Sequence, residues 1–180
     1  MLRATLPSTI RIEQHIAARR DVIHGNPVEM HQVLMNLCAN AAHAMRETGG
    51  VLEVALEEHE RKGVGDEWGE LPPGPYLRLS VSDTGHGIPP EDLGRVFDPF
   101  FTTKKPGEGS GMGLSVVHGI VRAHGGAIRV ESVVGLGAMF TILLPRAPQD
   151  TPTKAAPHED APRGRGRILF VDDEEDIATM

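Results

Sequence analysis

The chain has 180 residues, which is enough for one domain of ordinary size and a tail, and its formal net charge is −7. Apolar residues make up 39% of it, and no run of Lys and Arg interrupts the acidic balance, so a nucleic acid is not expected as a partner. The apolar runs are too short to cross a bilayer, and residues 1–7 lack the apolar core of a signal peptide. We therefore expect a cytoplasmic segment without direct membrane contact, whose parent protein could still be anchored in a membrane.

The first half of the chain predicts strands around one long helix. Alternating apolar residues predict strands over residues 8–16, 21–24, 51–60 and 76–83. Asn26 is a good N-cap and Pro27 suits the first helical position, so the helix begins there, and its apolar face runs to about Arg46. Residues 61–75, rich in Gly and Pro, are expected to form a loop.

The second half predicts two more helices and a hairpin. A short helix is expected over residues 89–94, an irregular loop over 97–113, a long helix over 113–124, and two strands over 127–134 and 138–144. This order predicts an α/β sandwich in which one mixed, largely antiparallel sheet is covered by helices on one face. Residues 1–147 would form this domain. Residues 148–165, which lack any apolar period, would be a flexible linker, and a buried strand restarts within residues 166–180.

Three amide side chains lie along one stripe of the first long helix. Gln32, Asn36 and Asn40 are spaced by four residues, so they share a face beside the apolar one. Asn is a poor residue inside a helix, because its side chain competes for backbone hydrogen bonds. The stripe is either a polar margin of satisfied amides or a face turned to a polar ligand or a hydrated metal, and an amide oxygen is a ligand suited to Mg²⁺.

An acidic residue ends the core-facing row of a strand. Period two places Asp83 on the same face as Leu79 and Val81, where a carboxylate is costly unless something donates to it. The exocyclic amine of a nucleobase would do so. Gly85 and Gly87 follow, and they either form an ordinary turn or let the backbone approach a flat ligand closely.

The predicted loop over residues 97–113 contains aromatic, basic and glycine residues. Its three Phe residues, Phe97, Phe100 and Phe101, would anchor a mobile flap or form a small satellite core. Lys104 could reach a phosphate or simply be solvated. Gly109, Gly111 and Gly113 precede a helix, where backbone N–H groups and the helix dipole favour an anion, although a flexible hinge is the alternative.

Taken in order, these motifs resemble the N, G1, F and G2 boxes of the ATP-binding catalytic domain of sensor histidine kinases. That family belongs to the GHKL superfamily, with gyrase, the mismatch-repair protein MutL and a heat-shock chaperone family. The resemblance covers about residues 8–145, and residues 31–37 look like those of the hybrid-kinase branch. It implies the two-layer α/β sandwich of the GHKL ATPase type, protein histidine kinase activity, and ATP and Mg²⁺ as ligands.

The resemblance also implies roles for individual residues. Asn40 would coordinate Mg²⁺ with Asn36 beside it, and Asp83 would accept a hydrogen bond from the adenine amine. Residues 98–113 would be the ATP lid, with Lys104 and the glycine amides on the phosphates. The implied catalytic residues are Asn36, Asn40 and Lys104, and the implied nucleotide-binding residues are Asn40, Asp83, Gly85, Gly87, Lys104, Gly109, Gly111, Gly113 and Leu114.

Asn36 bears on the choice between a kinase and a hydrolase. Hydrolysing members of the superfamily carry a Glu one helical turn before the metal-binding Asn, and an amide cannot replace it as a base for water. The resemblance therefore favours phosphoryl transfer to a protein histidine over the alternatives, a GHKL-type ATPase or a non-enzymatic nucleotide-binding adaptor. The histidine-bearing dimerisation domain would precede residue 1 or act in trans. Many relatives carry a Thr where this chain has Ala138 and Met139, so a hydroxyl contact to adenine is not expected.

The end of the chain resembles the start of a response-regulator receiver. Residues 167–175 read as its first strand followed by acids, and Asp172 and Asp173 would belong to its Mg²⁺ pocket. The aspartate that accepts the phosphoryl group would lie further on, so the receiver would be truncated here. A response-regulator receiver is therefore an expected partner of the kinase domain, in cis if the receiver is complete.

Overall fold

The computed structural model describes residues 6–63, 68–69, 71–105 and 109–148. In chain order the elements are β1 (Ile10–Ile16), α1 (Pro27–Ala44), β2 (Gly50–Arg61), β3 (Gly74–Asp83), α2 (Pro90–Leu93), α3 (Gly113–Ala123), β4 (Ala127–Val133) and β5 (Gly137–Pro145). The predicted receiver start, with Asp172 and Asp173, and all of the predicted linker except its first residue lie outside the described residues. No helix in the described part of the chain has the length and apolar character needed to span a bilayer.

Helix α1 begins at the predicted cap. The Asn26 side-chain oxygen accepts a hydrogen bond from the Val28 amide at 2.9 Å, and Pro27 occupies the first turn. The helix ends at Ala44, two residues before the predicted end at Arg46, because Met45 leaves the helical conformation. Gly49, with φ of +66°, then turns the chain into β2.

The five strands form one mixed sheet in the order β1-β2-β3-β5-β4. β1 pairs with β2 in parallel, and the other neighbours are antiparallel, which confirms the predicted sheet. The strand predicted over residues 21–24 is wrong. Ile23 makes a single antiparallel bridge to Arg146, and no ladder extends from it, because the cap of α1 follows at once.

Helices α1 and α3 cover one face of the sheet, as predicted. Their buried side chains, including Leu37 and Val117, pack against Leu52, Val81 and Ile142 of the strands, all at most 2% exposed. The loop between β2 and β3 contributes a second, smaller cluster. It combines Trp68 and Leu71 with Tyr76, Ala127 and Leu143.

Candidate functional site

A cavity of about 560 Å³ opens between α1 and the start of α3. The last residue of β3 and the first part of β5 also line it. This volume suits a small-molecule ligand. Of the described residues that the sequence assigned to a site, all except Gly85 line the cavity. They are Asn36, Asn40, Asp83, Gly87, Lys104, Gly109, Gly111, Gly113 and Leu114.

Asp83 lies at the end of β3 with 9% of its surface exposed. One carboxylate oxygen accepts a hydrogen bond from the Gly85 amide at 2.8 Å, and the Ala138 amide also donates to the carboxylate. Burial raises the pKa of Asp83 above its ordinary value, although these two amides and the nearby His86 act to lower it. A buried carboxylate in a cavity wall, with its pKa raised by desolvation, is typical of a functional site.

Gly85 lies outside the cavity lining and packs against the end of α1. A Cβ at this position would lie 2.6 Å from the Ala44 Cβ at the end of α1, so only glycine fits. The next amide, of His86, donates to the Ala44 carbonyl at 3.2 Å and fixes the turn on the helix. Gly85 does not itself line the cavity, and its backbone amide orients the Asp83 carboxylate.

The predicted hairpin turn supports the same region. Val133 faces Gly137 at the end of the β4–β5 ladder, and the Gly135 amide donates to the His86 carbonyl at 2.8 Å. Gly137, with φ of +107°, packs so closely on the Asp83 backbone that no side chain would fit. The hairpin thereby holds the segment that follows Asp83.

The amide stripe of α1 divides at the cavity. Asn36 and Asn40 are half-buried and line the wall, whereas Gln32 is exposed and does not. The Lys104 ammonium donates to the Asn40 side-chain oxygen at 2.9 Å. A Cβ on Gly113 would sit 3.4 Å from the Asn36 side-chain oxygen, so the first residue of α3 approaches α1 closely. The geometry favours a face turned to a ligand over a simple polar margin.

The three Phe residues of the loop take separate places, so neither a satellite core nor a shared anchor describes them. Phe97 packs on the main core, with its ring edge-on to Phe140 at 6.4 Å between centroids. Phe101 lines the cavity under the Arg95 guanidinium, which lies 4.6 Å from the ring centroid. Phe100 is 73% exposed, and its backbone has a positive φ of 66°.

Glycine backbone forms the wall at the start of α3. Gly111 has φ of +68° and packs against the Phe100 backbone, where a Cβ would approach the Phe100 carbonyl carbon to 2.5 Å. Gly113 and Leu114 open the helix and line the cavity, and no side chain caps this end. Unpaired N–H groups and the helix dipole make such an end favourable for an anion.

Several lining residues were not found by the sequence reasoning. His43 lies three residues after Asn40 on α1, so helical spacing could have identified it. Ala138 and Phe140 reach the cavity through the pairing of β5 with β3, which the sequence alone does not fix. The sequence analysis named Ala138 only as a position without a hydroxyl for adenine, and it did not predict that the Ala138 backbone amide donates to Asp83.

The donor set is suited to a metal ion that is already bound to phosphate. Asn40 presents a neutral amide oxygen, which is a hard ligand of the kind that Mg²⁺ accepts. Within the described residues, no group of three or more His, Cys, Asp and Glu side chains could hold a metal ion by itself. Mg²⁺ commonly binds through few protein ligands together with substrate phosphates. The amide side chains of Asn40 and Asn36 in the cavity lining fit that pattern.

The sequence matches known families and relatives. Residues 25–148 match the family described as "Histidine kinase-, DNA gyrase B-, and HSP90-like ATPase". The sensor kinase CckA of Brucella abortus is 35% identical over 158 residues, which cover 83% of this chain and 17% of CckA. The sensor histidine kinase ZraS of Salmonella typhi is 40% identical over 123 residues, which cover 68% of this chain and 23% of ZraS. The chain therefore spans only about a fifth of these relatives.

Solved structures share the fold. The mycobacterial sensor histidine kinase MprB superposes with a TM-score of 0.60 at 29% identity, over 78% of this chain and 85% of that one. Full-length ShkA in complex with AMPPNP superposes with a TM-score of 0.57 at 28% identity, over 82% of this chain and 28% of ShkA.

Proposed function

Because the chain belongs to the histidine kinase-, DNA gyrase B- and HSP90-like ATPase family, as a catalytic domain of the sensor histidine kinase type, we propose that it binds ATP with Mg²⁺ and donates the γ-phosphoryl group to a histidine on a separate helical domain. The observation that carries this proposal is the single cavity into which Asp83, Asn40 and Lys104 converge from distant parts of the chain. The binding of AMPPNP by the related ShkA supports a nucleotide as the ligand.

Asp83 would recognise the base. Its carboxylate is buried, oriented by two backbone amides and placed in the wall, so it would accept a hydrogen bond from the adenine amine. Guanine presents a carbonyl oxygen at the equivalent position, and two acceptors would then repel each other. The site would therefore prefer ATP to GTP.

The part of the cavity near Asn40, Lys104 and the start of α3 would hold the phosphates. Lys104 supplies a positive charge, and the glycine backbone before α3 supplies N–H groups at a helix N-terminus. Asn40, with Asn36 one turn earlier, would hold Mg²⁺, which on binding neutralises the charge of the phosphates. The protein side of the reaction is then positioning of the γ-phosphoryl group and electrostatic stabilisation, with no covalent nucleophile in this domain.

The lining argues for transfer rather than hydrolysis. The position of the expected base for water holds Asn36, whose amide is not basic at neutral pH. Among the described residues that line the cavity, the carboxylates are Asp83 and Asp92. Asp83 accepts hydrogen bonds from backbone amides and would bind the adenine. A kinase benefits from this arrangement, because water would otherwise consume the phosphoryl group.

The wider architecture extends the proposal. Residues 148–165 would be a flexible linker, and residues 166–180 the start of a receiver in which Asp172 and Asp173 belong to a Mg²⁺ pocket, as in a hybrid kinase. The partners would be a histidine-bearing dimerisation domain and a receiver. A cytoplasmic location follows from the need for ATP.

Labelled ATP tests the proposal. The chain is incubated with γ-labelled ATP, Mg²⁺ and a supplied histidine-bearing dimerisation domain, and transfer of label to that domain is measured. We expect acid-labile label on the domain. Steady phosphate release without the domain would support the ATPase alternative, and ATP binding without transfer would support the adaptor. Absence of Mg²⁺-dependent ATP affinity would contradict all three.

A further inference from the structure

One hydrogen bond in the cavity joins Lys104, in the loop before α3, to Asn40 of α1. The Lys104 ammonium donates to the Asn40 side-chain oxygen at 2.9 Å, across 64 residues of sequence. Gly109 also lies against this side chain, since a Cβ on Gly109 would lie 2.9 Å from the Lys104 Cδ. The Lys104 amide also donates to the Thr102 hydroxyl at 3.1 Å. The ammonium is therefore held on the very oxygen that the proposed function gives to the metal.

The distribution of positive charge in the cavity suggests which cations Asn40 can accept. Lys104 is the only Lys or Arg among the described residues that line the cavity. Its ammonium is a compact, strongly hydrated point charge, so it can act on an amide oxygen much as a small cation does. Asn40 carries no charge of its own to hold a second cation beside it.

From this geometry we infer that Lys104 is the resident cation of Asn40 in the nucleotide-free protein, and that it restricts the site to a metal ion that arrives on a nucleotide. The inference rests on the proposed function and deepens it. A free divalent ion would have to lose water and displace an ammonium in exchange for the neutral amide oxygens of Asn40 and Asn36, which is unfavourable. A nucleotide changes this balance, because its phosphates give Lys104 anionic acceptors and bring the remaining ligands of the metal. Lys104 is thus a specificity-determining residue.

The exchange has a consequence for nucleotide without metal. Such a nucleotide must draw Lys104 away from Asn40, and nothing then replaces the ammonium on the Asn40 oxygen. Asn40→Ala removes this acceptor, so the move of Lys104 to the phosphates no longer includes the cost of leaving the Asn40 oxygen. The variant should bind metal-free ATP more tightly and Mg²⁺-bound ATP more weakly than the wild type. Because Asn40 and Lys104 are only half-buried and solvent screens the charge, we assign their contact the net strength of an ordinary hydrogen bond, which corresponds to about three- to tenfold in affinity.

The experiment measures ATP affinity by calorimetry for the full 180-residue chain, in EDTA and in excess Mg²⁺. The proteins are the wild type, Asn40→Ala, Lys104→Met, the double variant, and Lys105→Met as a matched control, since Lys105 is exposed and does not line the cavity. Alanine is a better helix former than asparagine, so Asn40→Ala should not impair folding. We expect Asn40→Ala to gain about three- to tenfold in EDTA, the gain to vanish when Lys104 is Met, and Lys105→Met to match the wild type.

Each other outcome overturns the inference. Unchanged or weaker binding of metal-free ATP by Asn40→Ala would show that Lys104 is not held back by Asn40. A gain that persists in the Lys104→Met background would assign it to another cause. If the wild type binds ATP while Asn40→Ala fails these tests, the inference fails alone. If the wild type binds no ATP in either condition, the proposed function fails with it.

Discussion

Asp83 is a residue at which the stability of the fold and the proposed function oppose each other. Its carboxylate is 9% exposed, and burial raises its pKa above the ordinary value of 3.8. The folded state therefore holds the proton more tightly than the unfolded state does. Stability falls as the pH rises wherever the folded state binds more protons than the unfolded state. The ionised Asp83 side chain therefore costs stability at pH values above its raised pKa. In the proposed function the charge has a use, because a carboxylate is a stronger acceptor for an amine donor than a neutral group is.

This opposition leads to a prediction for Asp83→Asn. At pH 7 we expect a thermal unfolding midpoint equal to or above that of the wild type, because a buried charge is removed while an amide oxygen can still accept from a backbone amide. The difference should shrink as the pH falls through the raised pKa of Asp83. The affinity for ATP should drop about tenfold to a hundredfold, because the amide cannot match the carboxylate as an acceptor.

The control for this variant is Asp92→Asn, which removes the second carboxylate of the described wall. Differential scanning calorimetry and ATP titration on both proteins separate the two effects. Equal losses of ATP affinity would reduce the role of Asp83 to general electrostatics. A large fall in stability at pH 7 would show that its carboxylate is a structural element.

Residue patterns predicted the side chains of the site better than its backbone. Asn36, Asn40 and Asp83 were conspicuous because each is unfavourable where it stands unless it faces a ligand. Gly85 was predicted to bind nucleotide, and the structure adds a second requirement for glycine, its contact with Ala44, which depends on how the turn packs against α1. No local pattern records that contact.

At the scale of elements, periodicity identified the helices and the ladder-forming strands, and it failed where tertiary packing decides. Residues 21–24 alternate like a strand, but only Ile23 forms a bridge. Trp68 and Leu71 stand in a loop rich in Gly and Pro, and they are buried against the sheet. Their burial depends on a surface formed by β3, β4 and β5, which the loop sequence does not describe.

Two glycines predict opposite responses in neighbouring elements. Gly119 lies inside α3 with open space around its Cα, so Gly119→Ala should stabilise the fold by about 0.5–1 kcal/mol and raise the unfolding midpoint by about 1–4 °C. Gly111 has φ of +68° and packs on the Phe100 backbone, so Gly111→Ala should force the lid from this conformation.

Thermal unfolding and ATP titration measure both changes. We expect Gly119→Ala to bind ATP like the wild type, since Gly119 does not line the cavity, and Gly111→Ala to bind it more weakly. Equal ATP affinity for Gly111→Ala and the wild type would mean that this lid conformation does not matter for the nucleotide.

At the scale of the whole molecule, the site exists only because the sheet order brings distant segments together. β3 lies between β2 and β5, so Asp83 meets Ala138 across a gap of more than fifty residues, and α1 crosses the same face. The family resemblance predicted the fold that allows this assembly, whereas the composition and periodicity of the chain did not reach beyond the fold class. The register of β5 on β3 is a property of the complete sheet.

Glu58 ties three distant parts of the domain together and supports the last prediction. Its carboxylate on β2 accepts from the Arg19 and Arg20 amides at 3.1 and 3.2 Å, and it pairs with Arg146 just after β5. Desolvation acts to raise the pKa of Glu58, but the bonds from Arg146 and the two amides outweigh it, so the pKa lies below its ordinary value of 4.5. The carboxylate thus contributes stability above pH 4.5, and this is lost as the pH falls through the lowered pKa.

Glu58→Gln should therefore lower the unfolding midpoint at pH 7 by a small amount, because the site is exposed and screened by solvent. The deficit should fade in strong acid, where the wild-type carboxylate is protonated, and ATP affinity should stay unchanged because Glu58 is remote from the cavity wall. Glu60→Gln, an exposed change on the same strand, is the control. A deficit that is equal at pH 7 and in strong acid would mean that Glu58 acts through packing. Of the contributions that the Glu58 side chain makes, only that of its charge is lost on protonation.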